Sequence, residues 1–233
     1  MNLFYQPLIQ EGITYLDSLE SKHSARVLRK KSGDRIYITD GKGFLYTALI
    51  TDADANRCFF EIQEKVPETQ KQHAIHIAIS PTKHADRFEW FVEKVVELGI
   101  DRITLMECDR TEYTHLKLER LEKIAISAMK QSVRLTLPSI TGPIKIKDVT
   151  DNPDKTSKFI AYVDPGNPNH LKNIAKPNSD YLVLIGPEGD FSEGELSLAQ
   201  EKEFQRVSLG SNRLRTETAG VAACHILNLV NTP

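Results

Sequence analysis

A chain of 233 residues with 40% hydrophobic and 27% charged side chains can build one large folded domain or two modest ones, and is not a disordered segment. Its formal charge of −2 excludes recognition of a polyanion by bulk charge, so a nucleic-acid partner must be held by a local basic patch. No apolar run approaches the ~20 residues of a membrane span, and the first residues lack the basic flank and apolar core of a secretory signal. Cys58, Cys108 and Cys224 are odd in number and far apart, which points to a reducing compartment, the cytoplasm, with no disulfide framework and no zinc spacing.

Residues 1–70 read as β-rich. The alternation over 35–40 closes at Asp40-Gly41-Lys42-Gly43, a hairpin turn; 44–50 is its return strand and 57–62 a further one. Short strands at this spacing predict a small barrel or sandwich. Ahead of them, residues 22–35 carry six Lys or Arg against one acid. His23, Arg26, Arg29, Lys30 and Lys31 are the candidate RNA-phosphate contacts, the alternative being a solvated helix face. The polar stretch 65–73, with one proline, reads as a linker.

From residue 74 to 233 strands and helices alternate, the signature of a parallel α/β domain. Strands are expected at 75–79, 102–106, 159–163, 181–185 and 207–209. Phe88, Phe91, Val92, Val95 and Leu98 mark one helix, closed by Gly99, and Leu118, Leu121, Ala125, Ala128 and Met129 another. Pro138 and Pro143 bound a loop, and a long loop covers 164–169. Ser192-x-x-Glu195 fits a capping box opening a helix to about Phe204. The last helix, 217–230, has no charged residue from Thr218 onward. A helix without a polar face should be buried all round, which predicts a two-fold homodimer through it; the alternative is a core helix of a monomer. His73 and His76 have no partner constellation, and no metal is expected.

Two loops leave parallel strands in the same direction, and ligands of open α/β sheets bind at such strand ends. The first, Gly186-Pro187-Glu188-Gly189-Asp190-Phe191, allows close backbone approach and holds acids but no Lys or Arg, so it suits a cationic or hydroxyl-rich ligand better than a phosphate. The nucleotide patterns of the P-loop and the dinucleotide fold are absent. The second loop carries Arg213 and Arg215, then Glu217. These arginines could grip a phosphate or a developing oxyanion, or Arg215 and Glu217 could pair within the loop to fix the turn.

Gly186-Pro187-Glu188-Gly189-Asp190-Phe191-Ser192, followed by Leu209-Gly210-x-x-x-Leu214-Arg215-Thr216-Glu217-Thr218-Ala219, resembles the signature of the SPOUT methyltransferases, specifically the small-subunit ribosomal RNA uridine-N3 methyltransferase family. Lys83, Asp86, Arg87 and Glu89 ahead of Glu97-Leu98-Gly99, Gln131-Ser132-x-Arg134 with Leu137-Pro138, and His23-x-x-Arg26-Val27-Leu28-Arg29 with Gly33-Asp34 extend the likeness. The resemblance implies a C-terminal SPOUT domain with a deep trefoil knot over 74–233 and an N-terminal PUA-like RNA-binding β-barrel over 1–70. It implies S-adenosylmethionine held by Ile185, Gly186, Glu188, Gly189, Leu209, Gly210 and Leu214, RNA contacts that include Arg87 and Arg134, and a homodimer formed by the last helix. Asp190 stands where the family usually has Gly, Leu3 where an arginine often precedes two aromatics, Lys130 where Glu is usual, and His84-Ala85 where glycine is frequent. The implied reaction is methyl transfer to N3 of a uracil in 16S rRNA of the small ribosomal subunit, with Glu217 as candidate base and Arg215 stabilising negative charge on the uracil oxygens. A SPOUT enzyme acting at another RNA site, or a non-catalytic RNA-binding assembly factor, are the alternatives.

Overall fold

The computed structural model describes all residues except 70, 113–115, 152–155, 164–165, 167–168 and 233, so most of the loop expected at 164–169 lies outside the described residues. The chain divides into two compact units: Met1–Gln70 with Ile126–Leu137, and Lys71–Ala125 with Pro138–Pro233.

In the first unit, β1 (Leu3–Tyr5) precedes α1 (Ser18–Lys22), which runs on as a π-helical turn, His23–Val27. β2 (Arg35–Thr39), β3 (Phe44–Ala53) and β4 (Cys58–Pro67) follow, giving a mixed sheet of order β1-β2-β3-β4 with β1 parallel to β2 and the other pairs antiparallel. The two-residue period sets its faces. Ile36, Ile38, Tyr46, Ala48, Ile50 and Phe60 turn inward to a core shared with Phe4, Ile9 and Leu16. The turn after β2 is built by Asp40, whose buried carboxylate accepts from the N–H of Lys42 at 2.8 Å and of Phe44 at 3.3 Å and from the Tyr46 hydroxyl at 3.3 Å. Burial beside that carboxylate pushes the Tyr46 phenol up to about 12. Residues 65–67 belong to β4 rather than to a linker: Val66 pairs with Leu45 and Pro67 with Phe44, and their polar neighbours mark an exposed strand end. Asp17 caps α1, accepting from the N–H of Leu19 (2.9 Å) and Glu20 (2.8 Å). Glu20, 3% exposed, accepts a hydrogen bond from Lys130 of the segment Ile126–Leu137; burial still raises its carboxyl above the ordinary value.

The second unit begins with β5 (Ile75–Ile79), α2 (Ala85–Leu98) and β6 (Arg102–Glu107). α3 (Leu118–Gln131) starts here and ends in the first unit. β7 (Ser139–Lys145), α4 (Ile146–Thr150), β8 (Ser157–Ala161), α5 (Leu171–Ile174), β9 (Tyr181–Ile185), α6 (Glu193–Glu201), β10 (Gln205–Val207) and α7 (Thr216–Val230) complete it. The six strands form one parallel sheet of order β10-β8-β9-β5-β6-β7. All five residues of β9 are buried, as expected of a central parallel strand covered on both faces. α2 buries Phe88, Phe91, Val92, Val95 and Val96 and stops at Gly99, whose φ of 101° closes the helix.

Where a loop is expected between Pro138 and Pro143, the chain instead forms β7. It is an edge strand, so the N–H that Pro143 lacks is not needed by a further neighbour, and a register shift opposite it in β6 accommodates the irregularity. α6 ends at Glu201, short of Phe204; Glu203 takes a φ of 64° and turns Phe204 into the core, and β10 starts two residues earlier than the apolar run suggests. α7 packs on α2, β5 and β9 with Gly220, Ala223, Cys224 and Leu227 buried. Among the described residues α5 also packs on it, and the opposite side is left open. Thr218 and His225 are exposed, Leu229 is 58% exposed, and Val221, Ala222 and Ile226 are half-buried. Among the described residues no helix is long and apolar enough to cross a membrane.

Candidate functional site

The first loop starts where β9 ends. A Cβ placed on Gly186 would lie 3.0 Å from the Phe191 ring, so the bare backbone there lets Phe191 fold back under the loop. Asp190 occupies the left-handed region at φ 61°, with its N–H donating to the Pro187 carbonyl and its own Oδ1 accepting from the Phe191 N–H, both at 2.9 Å. The backbone angle natural to glycine is thus kept, and the short acid side chain compensates part of its cost. The capping box forms: the Glu195 N–H donates to Ser192 Oγ at 3.3 Å and the Ser192 N–H to Glu195 Oε2 at 2.8 Å.

The turn after β6 braces this loop. Arg110 Nη1 donates to the Gly189 carbonyl at 2.7 Å and more weakly to that of Phe191 at 3.4 Å. The Asp109 N–H donates to Glu195 Oε1 at 2.8 Å, and Ser192 Oγ donates to Asp109 Oδ2 at 2.5 Å. Burial, then the nearby Glu195, pushes the Cys108 thiol far up, so it has no thiolate chemistry to offer.

The second loop follows β10. The Ser208 N–H donates to the Asn169 carbonyl at 2.8 Å, and Ser208 Oγ to the Gly210 carbonyl at 2.9 Å. Gly210 has φ 147°, and a Cβ there would meet nothing within 4 Å. Two contacts tie the loops together: Thr216 Oγ1 donates to the Gly186 carbonyl at 3.0 Å, and Arg213 Nη2 lies 3.4 Å from the Glu188 carbonyl.

Between them lies a cavity of about 920 Å³. Ile185, Gly186 and Glu188 from the first loop and Leu209, Gly210, Leu214 and Arg215 from the second all line it. Gly189 does not; it sits against the Arg110 side chain. Glu217 does not either, being 6% exposed in the first turn of α7. Tyr162, Val163 and His170 also line the cavity. Their one advance signal was position, just beyond the end of β8 beside β9; His170 is joined to the second loop by its bridge to Ser208, a long-range contact. The cavity is acidic on one loop and basic on the other, able to hold a cation beside a group that gains negative charge.

The predicted RNA contacts fall on both units. His23, Arg26, Arg29 and Lys31 are exposed in the first unit, where Lys30 is half-buried with its ammonium donating to the Arg35 carbonyl at 3.1 Å. Arg134, half-buried, lies in the segment grouped with that unit; Arg87, also half-buried, is in the first turn of α2 in the second unit.

A parallel sheet with a cavity at the carboxyl ends of β8, β9 and β10 meets, over residues 69–228, the family model described as an RNA methyltransferase domain, and the chain belongs to that family. A second model, an RNA methyltransferase PUA domain, matches 16–63. Its relatives carry a particular name, ribosomal RNA small subunit methyltransferase E. The protein from Rickettsia conorii is 30% identical over 211 residues, 88% of this chain and 85% of its own length, and that from Aquifex aeolicus 27% over 231 residues, 97% and 99%. Among solved structures, a probable rRNA-methyltransferase from Porphyromonas gingivalis superposes with a TM-score of 0.94 at 41% identity, covering 99% of this chain and 98% of that one. Ribosomal RNA small subunit methyltransferase E from Neisseria gonorrhoeae, bound to S-adenosyl methionine, gives 0.88 at 30% identity, with coverage of 99% and 98%.

Proposed function

We propose that this chain methylates N3 of a uracil in 16S rRNA of the small ribosomal subunit, using S-adenosylmethionine, in the cytoplasm. The observation that carries the reading is the cavity that both signature loops line. Its size, about 920 Å³, falls in the range of small-molecule sites. Gly186 and Gly210 present bare backbone, and Glu188 and Asp190 line the wall, which suits a positively charged sulfonium. When bound, that cofactor supplies the methyl group. Ile185, Gly186, Glu188, Leu209, Gly210 and Leu214 would hold it, with Gly189 acting from behind through its bond to Arg110.

The chain's remaining work is orientation and charge. Arg215, exposed at the cavity, stabilises negative charge on the uracil oxygens as N3 loses its proton. Glu217, buried behind the lining in the first turn of α7, is the candidate acceptor of that proton that the family likeness offers. His23, Arg26, Arg29, Lys30, Lys31, Arg87 and Arg134 contact RNA phosphates. By the family likeness, residues 1–70 are read as a PUA-like barrel and 74–233 as a SPOUT domain, with the segment Ile126–Leu137 of the latter grouping with the first unit. The SPOUT reading carries a trefoil knot with it, which requires the chain to return inward after the edge strand β10, as it does where α7 packs on β9, β5 and α2 and Thr216 bonds to the end of β9. The uncharged outer side of α7 supports a homodimer through that helix.

The test is nucleoside mass spectrometry of rRNA from small subunits incubated with the chain and S-adenosylmethionine. New 3-methyluridine supports the reading; its absence, with subunits and naked rRNA alike, overturns it. Isothermal titration with S-adenosylmethionine separates a binding-only RNA protein, which would give no heat.

A further inference from the structure

The outward face of the first unit's sheet holds a recess of about 600 Å³ lined by Arg35, Tyr37, Thr47, Leu49, Gln63 and Glu64. Arg35 pairs with Leu49 and Tyr37 with Thr47 across β2 and β3. A bulge in β4 then inserts Gln63 between the pairs Thr47 with Glu64 and Ala48 with Ile62. Two successive side chains of β4 therefore reach the recess where a regular strand would send only one. Bulges of this kind re-aim side chains and are over-represented beside functional sites.

We infer that this recess takes one unpaired base of the RNA substrate, a reading that rests on the RNA methyltransferase function proposed above. The chemistry is that of a base site. Tyr37 offers a ring and Arg35 a guanidinium plane for stacking. The Gln63 amide, with a donor and an acceptor, and the Glu64 carboxylate, an acceptor, match the edge of a base. A duplex hides that edge and both faces of the base, so the occupant must be single-stranded. The phosphates have a place as well. Lys30 Nζ bonds to the carbonyl of Arg35, so the basic turn bearing the exposed Arg26, Arg29 and Lys31 abuts the end of β2 that opens the recess. Phosphate contacts on that turn position the strand, and the recess beside it takes the base.

The test is fluorescence anisotropy of the full chain with a fluorescein-labelled single-stranded RNA of mixed sequence, about twelve nucleotides long. Tyr37→Ala should weaken binding about tenfold, the loss of one stacked base. Tyr37→Phe should keep wild-type affinity. The same backbone made abasic should bind wild type and Tyr37→Ala equally, through the basic turn alone. Gln63→Ala, on the exposed bulge, should also weaken binding and carries the test if Tyr37→Ala does not fold. Wild-type affinity in Tyr37→Ala and Gln63→Ala, or no measurable affinity of the wild-type chain for the labelled RNA, overturns the inference. A wild-type chain that forms 3-methyluridine while both variants bind normally loses the recess alone. One that shows the tenfold effect but forms no 3-methyluridine keeps the recess and loses the methylation reading.

Discussion

Replacing Gly220 by alanine sets two effects of opposite sign against each other. In an open helix the change is worth about 1 kcal/mol in favour of the variant, because alanine has less backbone freedom to lose. Here the added Cβ would lie 2.5 Å from Phe91 Cε2, 2.9 Å from Cδ2 and 3.0 Å from Ile79 Cδ1. Ordinary carbon contacts are about 3.5–4.0 Å, so the ring must retreat by about 1 Å. It has nowhere to go. Phe91 and Ile79 are fully buried, and Phe91 already packs against Phe88 with ring centroids 5.4 Å apart. Overfilling a tight core costs ~1–3 kcal/mol, and with no free volume the upper end applies. The net expectation is a loss of about 2 kcal/mol, or a fall in melting temperature of ~4–8 °C for a chain of this size. Because Ala219, the preceding residue, lines the cavity, a displaced α7 should also weaken S-adenosylmethionine binding. Thermal unfolding by circular dichroism and titration of the cofactor read both effects. A melting temperature that rises in Gly220→Ala would refute the packing of α7 on α2.

Thr216→Val removes the donor to the Gly186 carbonyl, about 1 kcal/mol, and should raise the S-adenosylmethionine dissociation constant about fivefold by calorimetry. Asp190→Val puts a β-branched residue at φ 61° and deletes the bond to the Phe191 N–H; a stability loss of ~1–2 kcal/mol is expected in urea unfolding, whereas Asp190→Gly should be close to neutral. Lys130→Met leaves the Glu20 carboxylate buried without its cation and should cost about 3 kcal/mol at pH 7. Burial holds the folded pKa of Glu20 above the ordinary 4.5 of a glutamate, so the folded form binds the proton more readily. Removing Lys130, whose charge and hydrogen bond favour the ionised form, raises the Glu20 carboxyl further, so the deficit should be full where that carboxyl is ionised in both proteins and shrink as pH falls and the variant takes up the proton first; a deficit that grows as pH falls would contradict this. Arg215→Ala should lower the rate of 3-methyluridine formation ~100-fold with cofactor affinity unchanged; full turnover would remove Arg215 from the chemistry.

What could be read in advance was local. The five apolar residues of β9, the box of Ser192 and Glu195 and the stop at Gly99 each depend on neighbours a few positions away, and each forms as expected. The features that escaped depend on distant partners. β7 contains Gly142 and Pro143, and only its place at the sheet edge makes a strand of it. Residues 126–137 group with the first unit through contacts such as Lys130 with Glu20, 110 positions apart, although the helix containing them begins in the second. The brace formed by Asp109 and Arg110 reaches some eighty residues ahead to the first loop and has no periodicity to betray it. The two loops could be placed at strand ends by pattern, but the identity of their cofactor came only from the family likeness.

The two borders of the six-stranded sheet share a property with consequences for how copies of this chain meet. One border is β10, three residues long; the other is β7, interrupted by a proline. Neither offers a second chain a long row of open donors and acceptors on which to add a strand. Accretion of this sheet into continuous β-structure is thereby discouraged at both ends, which keeps the six strands that carry the cavity a closed, countable set.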